Sequence, residues 1–158
     1  MRIGTGYDVH KLVSGRPLII GGIEIDYHLG LEGHSDGDPL THSIIDALLG
    51  AAALGDIGLH FPPGDPRFKD ANSLALLENV YALLVARGYR IVNIDSTIIC
   101  QSPKLSPFFD RMRAALATCL QLEVDALSIK ATTTEKLGYI GRGEAIAAEA
   151  VALIVKNY

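Results

Sequence analysis

Apolar and polar positions alternate from the first residues. Ile3, Thr5, Tyr7 and Val9 fall on one side of a two-residue period, and Gly4, Gly6, Asp8 and His10 on the other. That period predicts a first strand over 2–10 whose chemistry lies on a single face. Leu18-Ile19-Ile20 and Ile23-Glu24-Ile25 flank Gly21-Gly22, and a glycine pair supplies the positive φ angles of a two-residue hairpin turn. Residues 27–37 read as an irregular loop. Asp38-Pro39 is a helix start, since the aspartate can cap free N–H groups and the proline suits the first turn; the apolar period then runs to Leu54 before Gly55. Residues 56–70 carry Gly58, Gly64, Pro62, Pro63 and Pro66, which predicts a surface loop or lid. A helix over 73–87, a β-branched strand over 90–100, a helix from Ser106-Pro107 to about Leu120 and a short strand over 127–132 follow. In the last segment, 144–156, the alanines favour a helix, but Ile146, Ala148, Ala150, Ala152 and Ile154 also fit a strand. A strand is favoured, running back antiparallel beside 127–132 after the glycine-rich turn 138–143.

The 158 residues suit one domain, 1–158, large enough to bury a core without disulfides. Eighteen acidic against 14 basic side chains, net −4, leave no basic stripe, so nucleic acid is not an expected partner. No apolar run approaches the ~20 residues of a membrane span, and nothing at the N-terminus reads as a leader. The expected location is cytoplasmic. Cys100 and Cys119 lack CxxC spacing and read as buried thiols. The surplus of alanine and aliphatic residues is assigned to core or to a subunit interface.

Asp8 and His10, two apart on a strand, leave the same face with Cα atoms ~6.5–7 Å apart, close enough to share an ion. Zinc accepts both donor types and in catalytic sites keeps three protein ligands and one open position. His34, Asp36, Asp38 and His42 all crowd the third place; His42, one turn into the helix, is the choice. An isolated Asp-x-His pair is more often a turn cap beside a buried imidazole. Four of the five histidines fall within 8–10 and 34–60, however, which favours a metal site. Thr132-Thr133-Thr134-Glu135-Lys136 at a strand exit offers hydroxyls, N–H groups and a carboxylate to phosphate oxygens and a hard ion such as Mg²⁺ or Mn²⁺, or is simply a threonine-rich cap. Lys104 reads as a phosphate ligand or a solvated side chain, and Asp56, between glycines, as a sugar-diol ligand or a turn residue.

Four separated motifs carry a resemblance. These are Gly4-Thr5-Gly6-Tyr7-Asp8-Val9-His10, His34-Ser35-Asp36-Gly37-Asp38, the run from Asp46 to Gly58, and the run from Ala131 to Gly138. In this order and spacing the chain resembles the 2-C-methyl-D-erythritol 2,4-cyclodiphosphate synthase family nearly end to end. The resemblance implies an enzyme of non-mevalonate isoprenoid synthesis that cyclises 4-diphosphocytidyl-2-C-methyl-D-erythritol 2-phosphate and releases CMP. It implies Asp8, His10 and His42 as zinc ligands, Asp8 and His10 also facing substrate, with Asp46 a candidate hydrogen-bond partner behind them. His34 and Thr133 would stabilise the transition state, with Glu135 holding Mg²⁺ or Mn²⁺. Ser35 would lie beside the methylerythritol phosphate, Asp56 and Gly58 at the ribose. Cys100, Pro103, Lys104, Leu105 and Ser106 would form the cytosine pocket, with Phe61, Asp65, Thr132, Tyr139 and Arg142 as further substrate contacts.

The implied fold is α+β: a four-stranded mixed sheet with helices on one face, of ferredoxin-type topology like chorismate mutase, plus a small N-terminal hairpin. The implied assembly is a homotrimer with active sites between subunits and an isoprenoid diphosphate near Arg142 and Glu144 on the threefold axis. One departure is Pro63 in Phe61-Pro62-Pro63-Gly64-Asp65-Pro66, where the family more often carries an aspartate. A zinc hydrolase and a non-catalytic trimeric isoprenoid-diphosphate-binding module are the competing readings.

Overall fold

The computed structural model describes residues 1–156. Strand β1, Arg2–Val13, is followed by β2, Leu18–Ile20, and β3, Ile23–Ile25, which pair antiparallel as the predicted hairpin across Gly21 and Gly22 at φ of 59° and 73°. A two-residue strand β4, Gly30–Leu31, lies inside the segment expected to be irregular and pairs with the end of β1. Helix α1, Pro39–Ala51, begins at the Asp38 cap, as expected. It ends three residues before Leu54, where Ala53 turns to a φ of 57°. The proline-rich loop contains one short helix, α2, Ile57–His60, and a 3₁₀ turn at Pro66–Phe68.

Helix α3, Ser73–Ala86, leads into strand β5, Tyr89–Ile99. The helix expected from Ser106 starts as a 3₁₀ turn and becomes α-helical in α4, Phe109–Leu120. Strand β6, Leu127–Thr132, the four-residue helix α5, Gly138–Gly141, within the glycine-rich turn, and strand β7, Ala145–Lys156, complete the chain.

Three fold expectations need correction. The sheet has five strands, ordered β4-β1-β7-β5-β6, one more than expected because of the two-residue β4. β7 does not lie beside β6; it runs antiparallel between β1 and β5. The reason is in its side chains: apart from Glu149 and the final lysine, it is apolar on both faces, the pattern of a central strand covered on two sides. The topology is also not ferredoxin-type. The chain runs β1-α1-α3-β5-α4-β6-β7 through its main elements, and β5 and β6 are parallel neighbours joined by α4, whereas split βαβ folds keep the two parallel strands apart. The sheet is therefore mixed, as expected, with a different connection.

The small residues have a use inside the chain. Gly4 and Gly6 of β1 sit directly under α1, where an added Cβ would come within 2.1 Å of the Ala47 carbonyl oxygen and 2.0 Å of that of Ser43. Their β7 partners Ala152 and Ala150, with Ala148, continue this flat floor and are fully buried. α1 therefore beds close against the sheet, with Leu40, Ile44, Ile45, Leu48 and Leu49 closing the core around it. The other face of β1 is open: Ile3, Tyr7 and Val9 are 69%, 54% and 40% exposed. Among the described residues no helix is long and apolar enough to cross a membrane.

Candidate metal centre and two neighbouring cavities

The close bedding of α1 on β1 sets the site. Asp8 and His10 share the face of β1 that carries Gly4 and Gly6, and His42, four residues after the Asp38 cap, descends from α1 onto them. Asp8 Oδ2 lies 2.8 Å from His10 Nε2 and 3.0 Å from His42 Nδ1, and the two ring nitrogens are 3.2 Å apart. Asp38 anchors this geometry from below. Its buried carboxylate accepts from the N–H groups of Gly21, Gly22 and Thr41 and from the Thr41 hydroxyl, at 2.7–3.0 Å, joining the hairpin turn to the start of α1. Burial pushes its pKa up, against the pull of those donors.

The outer hydrogen bonds fix which ring nitrogens face inward. His10 Nδ1 donates to the Glu32 carbonyl at 2.6 Å, which turns Nε2 toward Asp8. His42 Nε2 lies 2.8 Å from Ser73 Oγ and 3.2 Å from Ser35 Oγ, which leaves Nδ1 for the centre. Burial works against ionising Asp8, but hydrogen bonds from His10 and His42 outweigh it and hold its pKa below the usual carboxylate range. In the same way burial lowers and Asp8 raises the His10 pKa, with a net increase.

Asp8, His10 and His42 form a group able to hold a metal ion. One carboxylate oxygen and two imidazole nitrogens are a zinc-type donor set, and tetrahedral bonds of ~2.0–2.2 Å put ligands about 3.3–3.6 Å apart. The observed 2.8–3.2 Å triangle needs only a few tenths of an ångström of spreading. The donors fit the ion. Of the other candidates for the third place, Asp36 and Asp38 are engaged elsewhere, and His34 stands beside the triad with Nε2 donating to the Asp65 carbonyl at 3.1 Å. Asp46 is not a partner of His42; it accepts the Ile57 N–H at 2.7 Å and so ties α1 to the start of α2.

Two cavities receive most of the remaining predicted residues. Asp8, His10, His34, Ser35, His42, Gly58 and Phe61 line one of about 270 Å³. Cys100, Pro103, Lys104, Leu105, Ser106, Thr132 and Thr133 line a second of about 410 Å³. β1, β5 and β6 all point the same way, so both cavities open at one edge of the sheet. Neighbouring strands are ~4.8 Å apart, which separates the strand ends that carry these residues by roughly 10–14 Å. Beside the second cavity, Glu135 and Lys136 take left-handed φ of 53° and 64°, a conformation costly for non-glycine residues. The Thr133 hydroxyl accepts the Glu135 N–H and donates to the Glu135 carboxylate, and Gln101 Oε1 accepts the Lys136 N–H at 3.0 Å. The turn thus presents a carboxylate next to a threonine hydroxyl, a donor pair suited to a hard divalent ion.

The sequence model of the YgbB family matches residues 1–155. The chain belongs to the YgbB family. It is similar to proteins named 2-C-methyl-D-erythritol 2,4-cyclodiphosphate synthase from Geobacillus kaustophilus, 60% identical over 99% of both chains, and from Burkholderia thailandensis, 61% identical over 99% of this chain and 96% of that one. Among solved structures it is similar to the IspF of Plasmodium falciparum in a CDP complex, with a TM-score of 0.88, 36% identity and coverage of 99% and 97% of the two chains. The bifunctional IspDF of Campylobacter jejuni superposes with a TM-score of 0.95 at 44% identity, this chain covering 42% of that longer one.

Within this YgbB-family chain, four predicted residues besides Glu135 stand apart from both cavity linings. Asp56 caps α2 through the Leu59 N–H at 2.9 Å. Asp65 turns its carboxylate to Arg67, which holds its pKa down, while Pro63 lines the first cavity. Tyr139 meets Tyr7 hydroxyl to hydroxyl at 3.1 Å on the open face of the sheet, and the Tyr7 pKa is pushed up to about 12, first by that bond and then by burial. Arg142 pairs with Glu144. Sequence reasoning missed Ser73 and Gln101: one looked like a helix start, the other like a loop residue, and only the fold gives each its partner.

Proposed function

We propose that the protein converts 4-diphosphocytidyl-2-C-methyl-D-erythritol 2-phosphate into 2-C-methyl-D-erythritol 2,4-cyclodiphosphate and CMP. In this intramolecular transfer an oxygen of the substrate's own 2-phosphate bonds to the β-phosphorus, and the bond from that phosphorus to the oxygen bridging to CMP breaks. No protein nucleophile is needed, so the protein's task is to fold the substrate into line and stabilise spreading charge. The convergence of Asp8, His10 and His42 beside His34 and Ser35 carries this reading. Whole-chain identity to synthases of that name, and the CDP complex of a similar structure, support it.

Asp8, His10 and His42 would hold zinc, which when bound supplies a Lewis acid and a template for phosphate oxygens. Glu135, with Thr133 beside it, would hold Mg²⁺ or Mn²⁺ at the diphosphate. His34 and Thr133 donate to phosphate oxygens as charge develops, and Ser35 positions the methylerythritol phosphate. Asp56 and Gly58 take the ribose hydroxyls. The loop from Cys100 to Ser106 takes the cytosine, with Lys104 facing phosphate, and Phe61, Asp65, Thr132, Tyr139 and Arg142 complete the contacts.

The same reading makes the working unit a homotrimer. The exposed Ile3, Tyr7 and Val9 suit burial against another chain, and a neighbour's second cavity would close over this chain's metal site. An isoprenoid diphosphate would sit on the threefold axis near Arg142 and Glu144, and the enzyme would work in the cytoplasm. Phosphorus NMR of the turnover mixture, with and without chelator, tests the activity. The expected products are the cyclic diphosphate and CMP, lost on chelation; CMP with an open-chain bisphosphate would establish a hydrolase instead.

A further inference from the structure

Behind the metal triad, one chain of hydrogen bonds runs outward through residues that have no role in the chemistry above. His42 Nε2 lies 2.8 Å from the Ser73 hydroxyl, and that hydroxyl makes a short contact with the Asp36 carboxylate. Asp36 also accepts the Ser73 N–H at 2.9 Å. Ser73, the first residue of α3, is fully buried.

The direction of these bonds is fixed by chemistry. A carboxylate only accepts, so the Ser73 hydroxyl must spend its single proton on Asp36. Its oxygen then faces His42 as an acceptor, so a proton on His42 Nε2 serves Ser73 at 2.8 Å and the Ser35 hydroxyl oxygen at 3.2 Å. Nδ1, 3.0 Å from Asp8 and 3.2 Å from His10, is then the ring atom left for a metal, which takes the place of the hydrogen bond to Asp8. We infer that Asp36 and Ser73 are positioning residues that lock His42 in the tautomer able to bind metal.

The relay also reaches the lid. The Asp36 N–H donates to the Ala71 carbonyl and the Asp70 N–H to the His34 carbonyl, so the end of the proline-rich loop is stitched to the segment holding His34, Ser35 and Asp36. The orientation of His42 and the anchorage of the lid therefore share one residue, Asp36, the first through its carboxylate and the second through its backbone N–H. This inference rests on the metal reading of the triad, and it concerns the orientation of one ligand.

Two variants separate the relay from folding. Ser73→Ala removes the hydroxyl but keeps the backbone N–H to Asp36, while Asn72 still caps α3 through the Leu74 N–H at 2.8 Å. Asp36→Asn keeps the shape but can donate to Ser73, which frees the hydroxyl to donate to His42 and drives the ring proton to Nδ1. The zinc dissociation constant is read by competition with a chelator, and the His42 tautomer by long-range ¹H–¹⁵N NMR of the zinc-free protein.

In the wild type a proton is expected on His42 Nε2, whether or not Nδ1 also carries one for Asp8. Ser73→Ala should weaken zinc by roughly 10–100-fold, the usual effect of losing such an outer partner. Asp36→Asn should lower the Nε2–H population with His10 unchanged. A zinc constant within twofold of wild type in Ser73→Ala, with His42 unchanged in both variants, would overturn the relay. A wild type that binds no zinc would instead overturn the metal assignment, leaving the tautomer measurement to decide the relay.

Discussion

Replacing Gly6 by alanine should break the metal site without touching a ligand. An added Cβ would lie 2.0 Å from the Ser43 carbonyl oxygen, 2.8 Å from the Ala47 nitrogen and 2.9 Å from the Asp46 Cβ. Ordinary contact begins near 3.4 Å, so α1 must lift from β1 by about 1.4 Å at the residue next to His42. Metal–ligand distances in a sound site agree with the ideal to ~0.2 Å, and such a lift far exceeds the few tenths of an ångström by which the triad must spread. Overpacking of this kind costs about 1–3 kcal/mol, and the rigid backbone on both sides places Gly6→Ala at the upper end of that range. Zinc affinity should fall by at least the 10–100-fold typical of a misplaced outer partner.

Gly50 supplies the control on the same helix. A Cβ there meets nothing closer than the Thr5 carbonyl oxygen at 3.9 Å, so Gly50→Ala should stabilise by up to about 1 kcal/mol through helix propensity. The assay is thermal unfolding of chelated protein beside a zinc competition titration. A Gly6→Ala protein with wild-type melting temperature and a zinc constant within twofold of wild type would refute the claim that β1 and α1 are held at contact by the missing side chain.

His42→Ala should lower zinc content and turnover together, as read by metal analysis and the CMP-release rate. Glu135→Gln should leave zinc bound while abolishing the response to added Mg²⁺ or Mn²⁺ and most of the activity, seen in metal titrations of the rate. Asp38→Asn sets an amide against donors that now find a carboxylate, and should cost about 1–3 kcal/mol in chemical denaturation. Burial pushes the Cys100 thiol up to about 11 and the Cys119 thiol, where Glu78 adds to the effect, to about 12. The folded chain therefore holds those protons longer than the unfolded chain, whose thiols titrate near ~8.5, and stability should fall as pH rises above that value. Iodoacetamide followed by mass spectrometry should accordingly label both thiols slowly at pH 8 in the native protein and quickly in denaturant.

The alternation of Gly4, Gly6, Asp8 and His10 was legible because a strand period of two leaves no other way to share a face, and Asp38-Pro39 placed His42 by helix geometry alone. What stayed hidden depended on contacts between distant segments. The alanines of β7 fit a helix, an edge strand or a central strand until β1 and β5 are seen to flank it. The alanine and aliphatic surplus left core and subunit interface open, and nothing local showed that Gly4 and Gly6 let α1 close on β1 within one chain. Asp46 had the right spacing to support His42, but α2 offers it an unpaired N–H, and Ser73, from 31 residues further along, takes the place. Gln101 reaches the Glu135 turn only because β5 and β6 end side by side.

Zinc K-edge X-ray absorption of the protein loaded with one equivalent of zinc tests the central claim, that β1 and α1 build the metal centre. The predicted shell is four nitrogen and oxygen atoms at ~2.0–2.2 Å with the outer-ring scattering of two imidazoles, falling to one in His42→Ala. A sulfur shell near 2.3 Å, or a shell with no imidazole scattering, would contradict it.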